Sequence, residues 1–311
     1  LEHVGRPRLG QQLGAHRDAP RLLPGQLVHG AIVADIRVYA GGGAPAYRAG
    51  MTESRTASRA STLLQLHRDP KLLTVVNVWD VISATVVADV EGTAALATAS
   101  HSIAASYGYE DGENIPVELM IEAVGRIVAA TDLPVTADLE GGYGDPAETV
   151  RRAIGVGVVG CNLEDQLRPL DEAVRNVEAV LKAAEAEGVP DFVLNARTDA
   201  FVKDRSRDLQ EALADAVERV KAFTAAGAPT VFVPAKLDER MVETLVEAVG
   251  PQHLTLIGIP GNPSLARLEE LGVARVSWGP MSQNVALTAL QELVEEVHRG
   301  GGVPSTMRML N

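Results

Sequence analysis

From about residue 70 the chain alternates short apolar runs with longer amphipathic ones, and this alternation limits its possible folds more than any other feature. The short runs are rich in β-branched residues and end in polar residues or glycine, as strands buried on both faces do. The longer runs place apolar residues three and four apart, as amphipathic helices do. The predicted strands are Thr74–Val78, Ala94–Ala99, Pro134–Ala137, Val158–Leu163, Phe192–Ala196, Thr230–Val233, Leu254–Gly258 and Arg275–Ser277. The predicted helices are Ser83–Val90, Val117–Ala130, Pro146–Ile154, Asp171–Glu187, Asp208–Ala226, Asp238–Ala248, Pro263–Leu271 and Gln283–His298. Regular alternation calls for a parallel sheet, and within 311 residues an α/β fold of the (β/α)8 TIM-barrel type accommodates it best. A doubly wound open sheet is the rival; a count that closes at eight favours the barrel.

Local signals agree with this segmentation. Asp145-Pro146 and Asn262-Pro263 each read as a helix N-cap followed by proline at the first helical position. Gly188, Gly227 and Gly272 stand where helices should stop. Gly155, Gly157 and Gly160 spell a dinucleotide-type G-x-G-x-x-G, but the pattern follows a helix and opens a strand. The nucleotide fingerprint needs the reverse order, so a nicotinamide enzyme is set aside.

Charge and composition remove other classes. The net charge of −13 argues against nucleic acid or an anionic membrane as partner. No apolar run reaches the ~18–20 residues of a membrane span, and a cytoplasmic location is expected. The lone Cys161 excludes an internal disulfide and a cysteine metal cluster; its apolar strand marks it as a core residue. Residues 1–50 differ from the rest, with six Arg, no Lys, three acids and nine glycines. A disordered leader, a transit peptide and extra residues before a natural start at Met51 are the three readings, and the last is preferred. Residues 1–60 are therefore expected to lie outside a single barrel domain of residues 61–311.

Polar residues gather at the C-terminal ends of the predicted strands: Trp79 and Asp80, Ser100 and His101, Asp138 and Glu140, Glu164 and Asp165, Arg197 and Asp199, Lys236, then Asn262. In a barrel these converge on the rim where barrel enzymes keep their chemistry. Asp138 and Glu140, two apart, would share a side of an extended chain, and the next strand delivers Glu164. Three clustered carboxylates repel unless a cation or protons neutralise them, and oxygen ligands favour Mg²⁺ or Mn²⁺. A helix-capping turn with solvated acids is the plain alternative. Gly141, Gly142 and Gly144 let that loop bend and its backbone approach a ligand. Arg197 offers a planar cation to a carboxylate or oxyanion, or a rim salt bridge. His101 offers an acid or base near neutrality, unless only the backbone N–H groups there matter.

Residues from about Leu72 to Leu290 resemble the isocitrate lyase/phosphoenolpyruvate mutase superfamily, its short phosphonomutase-like members above all. The resemblance rests on five ordered segments: Asn77–Asp80, Ser102–Gly112, Ala137–Gly144, Asn162–Asp165 and Asn195–Asp199. It implies a barrel, often tetrameric, whose last helix is exchanged between subunits, with Mg²⁺ and a 2-oxo acid or enolate ligand. By position it implies that Asp138 contacts the metal directly, while Asp111, Glu140 and Glu164 hold it mostly through water. Arg197 faces the substrate, and the backbone at Ser100 and His101 cradles the substrate carboxylate and oxyanion. Most relatives carry Ser-Gly where this chain has Ser100-His101.

Two departures narrow the activity. The Lys-Lys-Cys-Gly-His loop of isocitrate and methylisocitrate lyases is absent, and the segment Gln166–Leu170 is too short to be the phosphonate mutase lid. The expectation is a Mg²⁺-dependent lyase-type enzyme cleaving a C–C or C–P bond of a small 2-oxo or 2-hydroxy acid through an enolate, working as a dimer or tetramer. A non-catalytic metabolite-binding barrel and a phosphonate mutase or hydrolase are the alternatives. The catalytic candidates are Arg197, Ser100, His101 and Tyr107; the substrate contacts are Trp79, Asp80, Ser100, His101, Asp138, Gly141 and Arg197. Tyr143 joins His101 and Tyr107 as a possible proton donor.

Overall fold

The computed structural model describes residues 45–203 and 206–310. The chain runs through α1 (Pro45–Arg68), β1 (Leu73–Val75), β2 (Asn77–Val78), α2 (Val81–Ala88), β3 (Leu96–Thr98), α3 (Ser100–Ser106) and α4 (Val117–Ala129). It continues with β4 (Val135–Asp138), α5 (Pro146–Gly155), β5 (Gly160–Glu164), α6 (Leu170–Ala186), β6 (Val193–Arg197) and α7 (Leu209–Ala225). The last elements are β7 (Thr230–Val233), α8 (Glu239–Val249), β8 (Leu254–Ile257), α9 (Leu265–Glu270), β9 (Arg275–Ser277) and α10 (Met281–His298).

Every strand pair is parallel, and the strand order β1-β9-β8-β7-β6-β5-β4-β3-β2 leads round a (β/α)8 barrel. The first stave is split at Val76, so β1 pairs with β9 and β2 with β3. Asn77 spans the seam. Its Oδ1 accepts from the N–H groups of Trp278 and Gly279, both at 2.8 Å, and its Nδ2 donates to the Thr98 carbonyl at 2.8 Å. A buried amide with all these bonds satisfied fixes the register of both joins.

Strand residues such as Leu96, Val135, Leu194, Val231 and Leu254 are almost fully buried. Burying each such side chain is worth roughly 1.5–3 kcal/mol. Asp145 caps α5 by accepting from Glu148 N, with Pro146 at the first helical position, as the sequence predicts. Gly188, Gly227 and Gly272 end their helices at φ of +75°, +97° and +83°. Asn262 does not cap a helix. Ser264 caps α9, and Asn262 instead accepts from Leu237 N at 3.1 Å and donates to Ile257 O at 2.9 Å. Its side chain ties the two loops, and the helix starts two residues later than expected.

Two helices were not anticipated. α3 begins directly at the end of β3. α1 crosses position 60, and its Ala60 and Leu63 are fully buried; residues 1–44 lie outside the described residues. At the other end of the chain α10 exposes Val285, Leu287, Leu290, Val294 and Val297. Near its start it is held, where buried Gln283 donates to Ser102 O and Ser106 Oγ, both at 3.1 Å. No described helix is long and apolar enough to cross a membrane.

Candidate active site

The C-terminal ends of the strands enclose a cavity of about 120 Å³. Asp138 lines it. The last residue of β4, it receives Ser100 Oγ at 2.9 Å and Ser100 N at 3.3 Å on one carboxylate oxygen, so the first residue of α3 is tied to β4. The Asp138 backbone N–H donates to Thr98 Oγ1 at 3.0 Å. The other carboxylate oxygen, Oδ1, is buried with no protein partner.

Glu164 ends β5 and Arg197 ends β6, side by side in the sheet register. A guanidinium N–H donates to Glu164 Oε1 at 2.6 Å, and Arg197 also donates to Asp199 Oδ1 at 2.8 Å. Burial raises the Glu164 carboxyl to about 8; Arg197 pulls it down, and Asp199, Asp138 and Glu140 push it up again. Burial raises Asp199 as well. Burial works against the Arg197 charge, but Glu164, Asp199 and Asp138 outweigh it and hold its pKa above the ordinary value.

Asp165 braces this pair from behind. Buried, it accepts from the N–H groups of Asp199 at 3.0 Å and Leu167 at 2.9 Å, and from Arg219 at 3.1 Å. Arg219 in turn donates to Asp215 at 2.8 Å and to the Arg168 carbonyl at 3.0 Å.

Glu140 is placed differently from the sequence expectation. β4 stops at Asp138 and the chain turns, with Glu140 at φ +52° and Gly142 N bonded to Leu139 O at 3.0 Å, so no pleat aligns Glu140 with Asp138. The Glu140 carboxylate accepts from Tyr143 OH at 2.9 Å and from Glu113 N, while Glu113 Oε1 accepts from Tyr143 N at 2.6 Å. Burial raises the Glu140 carboxyl to about 7; the Tyr143 and Glu113 bonds oppose the rise, and Asp138 and Asp111 add to it. Burial, then Glu140, raises the Tyr143 phenol.

Ser100, His101, Asp111, Asp138, Glu164 and Arg197 all line the cavity. His101 Nδ1 lies 3.5 Å from Asp111 Oδ2, with both side chains about half exposed. Trp79 and Asp80 line a separate apolar groove between α2 and the start of α10, and Asp80 caps α2 in a reciprocal bond with Ser83. Tyr107 ends α3, exposed and away from the cavity lining. Gly141 packs against Gln166, whose side chain a Cβ there would meet at 2.3 Å. Glu113, Asp165 and Arg219 were missed as supports, because only contacts far apart in sequence give them a role. Cys161 is fully buried, and burial raises its thiol.

Among the described residues no group of three or more Asp, Glu, His or Cys side chains could cage a metal ion. The donors fit a hydrated divalent ion instead. Asp138 offers one unpartnered oxygen, as suits Mg²⁺, which keeps several waters and takes one or two carboxylates.

Residues 63–298 match the family described as phosphoenolpyruvate phosphomutase. A Burkholderia cenocepacia J2315 crystal structure with a provisional phosphonomutase description is 41% identical, with a TM-score of 0.72, over 79% of this chain and 100% of that one. The structure of a 2,3-dimethylmalate lyase is 25% identical at a TM-score of 0.70, over 80% of this chain and 91% of that one. An uncharacterised protein of Mycobacterium tuberculosis H37Rv is 28% identical over 247 residues, 78% of this chain and 91% of its own length.

Proposed function

The chain belongs to the phosphoenolpyruvate phosphomutase family, and from that premise we propose a Mg²⁺-dependent lyase-type enzyme that cleaves a C–C bond of a small 2-oxo or 2-hydroxy acid through an enolate. Relatives that are lyases or mutases support an enzyme. The observation that carries the reading is Asp138: one oxygen is anchored by Ser100 and the other is buried without a partner, left for a ligand. In this reading Asp138 would hold the ion, with Asp111 and Glu164 as further acids of the cavity lining; Glu140, whose oxygens already accept from Tyr143 and Glu113, would act from outside that lining. When bound, the ion supplies positive charge for the C1 and C2 oxygens of the acid and for the enolate.

The chain's own groups do the rest. Arg197, fixed by Glu164 and Asp199, presents its remaining donors to the developing oxyanion. The backbone at Ser100 and His101, where α3 starts, cradles the substrate carboxylate. His101, 3.5 Å from Asp111, lines the cavity as the group that would exchange a proton with the substrate. Isocitrate-type cleavage is left out, because the only cysteine is sealed inside β5. C–C cleavage is preferred to C–P because few residues separate β5 from α6. The same short loop favours a second reading, a barrel that binds its acid with Mg²⁺ and returns it unchanged. We also propose a cytoplasmic homo-oligomer, dimer or tetramer, in which α10 finds its partner on a second copy.

Incubation with Mg²⁺ and a panel of 2-oxo and 2-hydroxy acids tests this. Pyruvate or glyoxylate release is expected, lost in EDTA, restored by Mg²⁺ or Mn²⁺, and reduced by about 10³-fold in Asp138→Ala. Activity that survives both EDTA and Asp138→Ala overturns the reading.

A further inference from the structure

The cavity mouth has two unlike halves. On the side of β3 to β6 stand Ser100, Asp138, Glu164 and Arg197. On the side of β7 to α10 stand Phe232, Pro234, Ile257 and Pro280 with Ser277 and Gly279 between them, and no charged side chain among the described lining residues. Among the described residues Arg197 is the only Lys or Arg that lines the cavity, and two carboxylates already hold it at 2.6 and 2.8 Å.

The apolar half is not free to bring in a cation. Asn262 ties the loop after β7 to the loop after β8 through Leu237 N and Ile257 O. Lys236, in the loop after β7, lies along the Gly261 turn, where an added Cβ would stand 2.6 Å from its Cε. A second carboxylate or a phosphonate reaching this wall would meet no cation among the described lining residues and only the Ser277 hydroxyl as a side-chain donor, in a site already crowded with acids. The cavity of about 120 Å³ is small and suits an acid of a few carbons.

We infer that the part of the substrate beyond C3 is uncharged, so that the enzyme takes 4-hydroxy-2-oxo monocarboxylic acids and cleaves them in the aldol sense. This deepens the 2-oxo acid reading and rests on it. In the step, the C4 hydroxyl gives its proton to a base, for which His101 is placed as the one imidazole among the described lining residues. The C3–C4 bond breaks as the C4 carbonyl forms, and its electron pair enters the C2–C3 enolate. C3 then takes the proton back. Pyruvate and a neutral aldehyde leave, and no oxidant or other reactant is needed.

A matched pair of substrates tests it. 4-Hydroxy-2-oxopentanoate and 4-hydroxy-2-oxoglutarate differ only in a methyl against a carboxylate at C5. With Mg²⁺, kcat/KM is expected to favour the pentanoate by about 100-fold or more; equal rates, or preference for the glutarate, overturn the inference. Calorimetry with Mg²⁺ gives an answer independent of turnover. 2-Oxobutanoate should bind at least ~10-fold more tightly than oxaloacetate, and the reverse order overturns the inference while leaving the 2-oxo acid reading intact. If neither acid binds, that reading fails and the inference fails with it. Ile257→Arg should shift preference toward the dicarboxylates by at least ~10-fold, with its melting temperature checked against the unaltered protein. If that variant does not fold, the matched pairs on the unaltered protein decide.

Discussion

His67 shows how one buried group sets an acid limit on the whole protein. It sits in α1, fully buried, with Nδ1 2.8 Å from the Leu63 carbonyl and Nε2 unpartnered. Burial, then the charge of Arg275, lowers its pKa to about 3, the Leu63 bond opposing. Arg275 is itself buried, which lowers its pKa to about 10, with Asp138 opposing the drop. Below pH 6.5 the unfolded chain protonates His67 and the folded one does not, so this group costs stability as pH falls from about 6.5 toward 3. Between pH 7 and 5 the loss is about 2 kcal/mol. Urea unfolding of the unaltered protein and of His67→Gln across that range should differ by this slope, since carboxylates common to both cancel. A second residue-scale prediction concerns Asp165. Asp165→Ala strips acceptors from Asp199 N, Leu167 N and Arg219. It should cost about 3 kcal/mol of stability and lower kcat more than it raises KM, because Arg197 loses its backing. Asp138, Glu164 and Arg197 were legible in the sequence because each ends a strand. Glu113 was not, since it serves the site only across a turn formed by residues at positive φ.

At the scale of elements, local chemistry and long-range packing divide the work. Asp145-Pro146 was readable because a cap is a bond within one turn. Asn262-Pro263 misled because the Asn262 acceptor is taken by Leu237 N, distant in sequence. α3 carries no side-chain cap of its own; Asp138, from the neighbouring strand, receives the N–H of its first residue. Gly155, Gly157 and Gly160 end a helix and open a strand rather than cradle a nucleotide. Gly160 has a packing reason: a Cβ there would stand 2.7 Å from Val193 O and 3.0 Å from Leu63 Cδ2. Gly160→Ala should therefore cost about 2 kcal/mol in chemical denaturation, and loosen α1 from the strands it covers. Hydrogen exchange in α1, faster in the variant, checks the second part.

For the whole molecule the open question posed by the fold is α10. Its exposed Val285, Leu290, Val294 and Val297 are more apolar surface than an isolated helix profitably shows to water. The groove beside its start, walled by Val76, Trp79, Ile82, Val86 and Trp278, is apolar too. Sedimentation should find a dimer or tetramer, and Leu290→Glu with Val294→Glu should drive it toward monomer; a monomer at micromolar concentration before any substitution sinks the oligomer proposal. The sequence by itself determined the parallel β/α alternation, most helix limits and the acids and arginine of the rim. Those depend on periodicity and on residues a turn or less apart, which a linear pattern records. Only the tertiary structure decided how the first stave splits to close the barrel, that Glu140 turns into a knot with Tyr143 and Glu113, and which wall of the cavity is apolar. Each of these depends on which strands become neighbours, and neighbours in space leave no period in the chain.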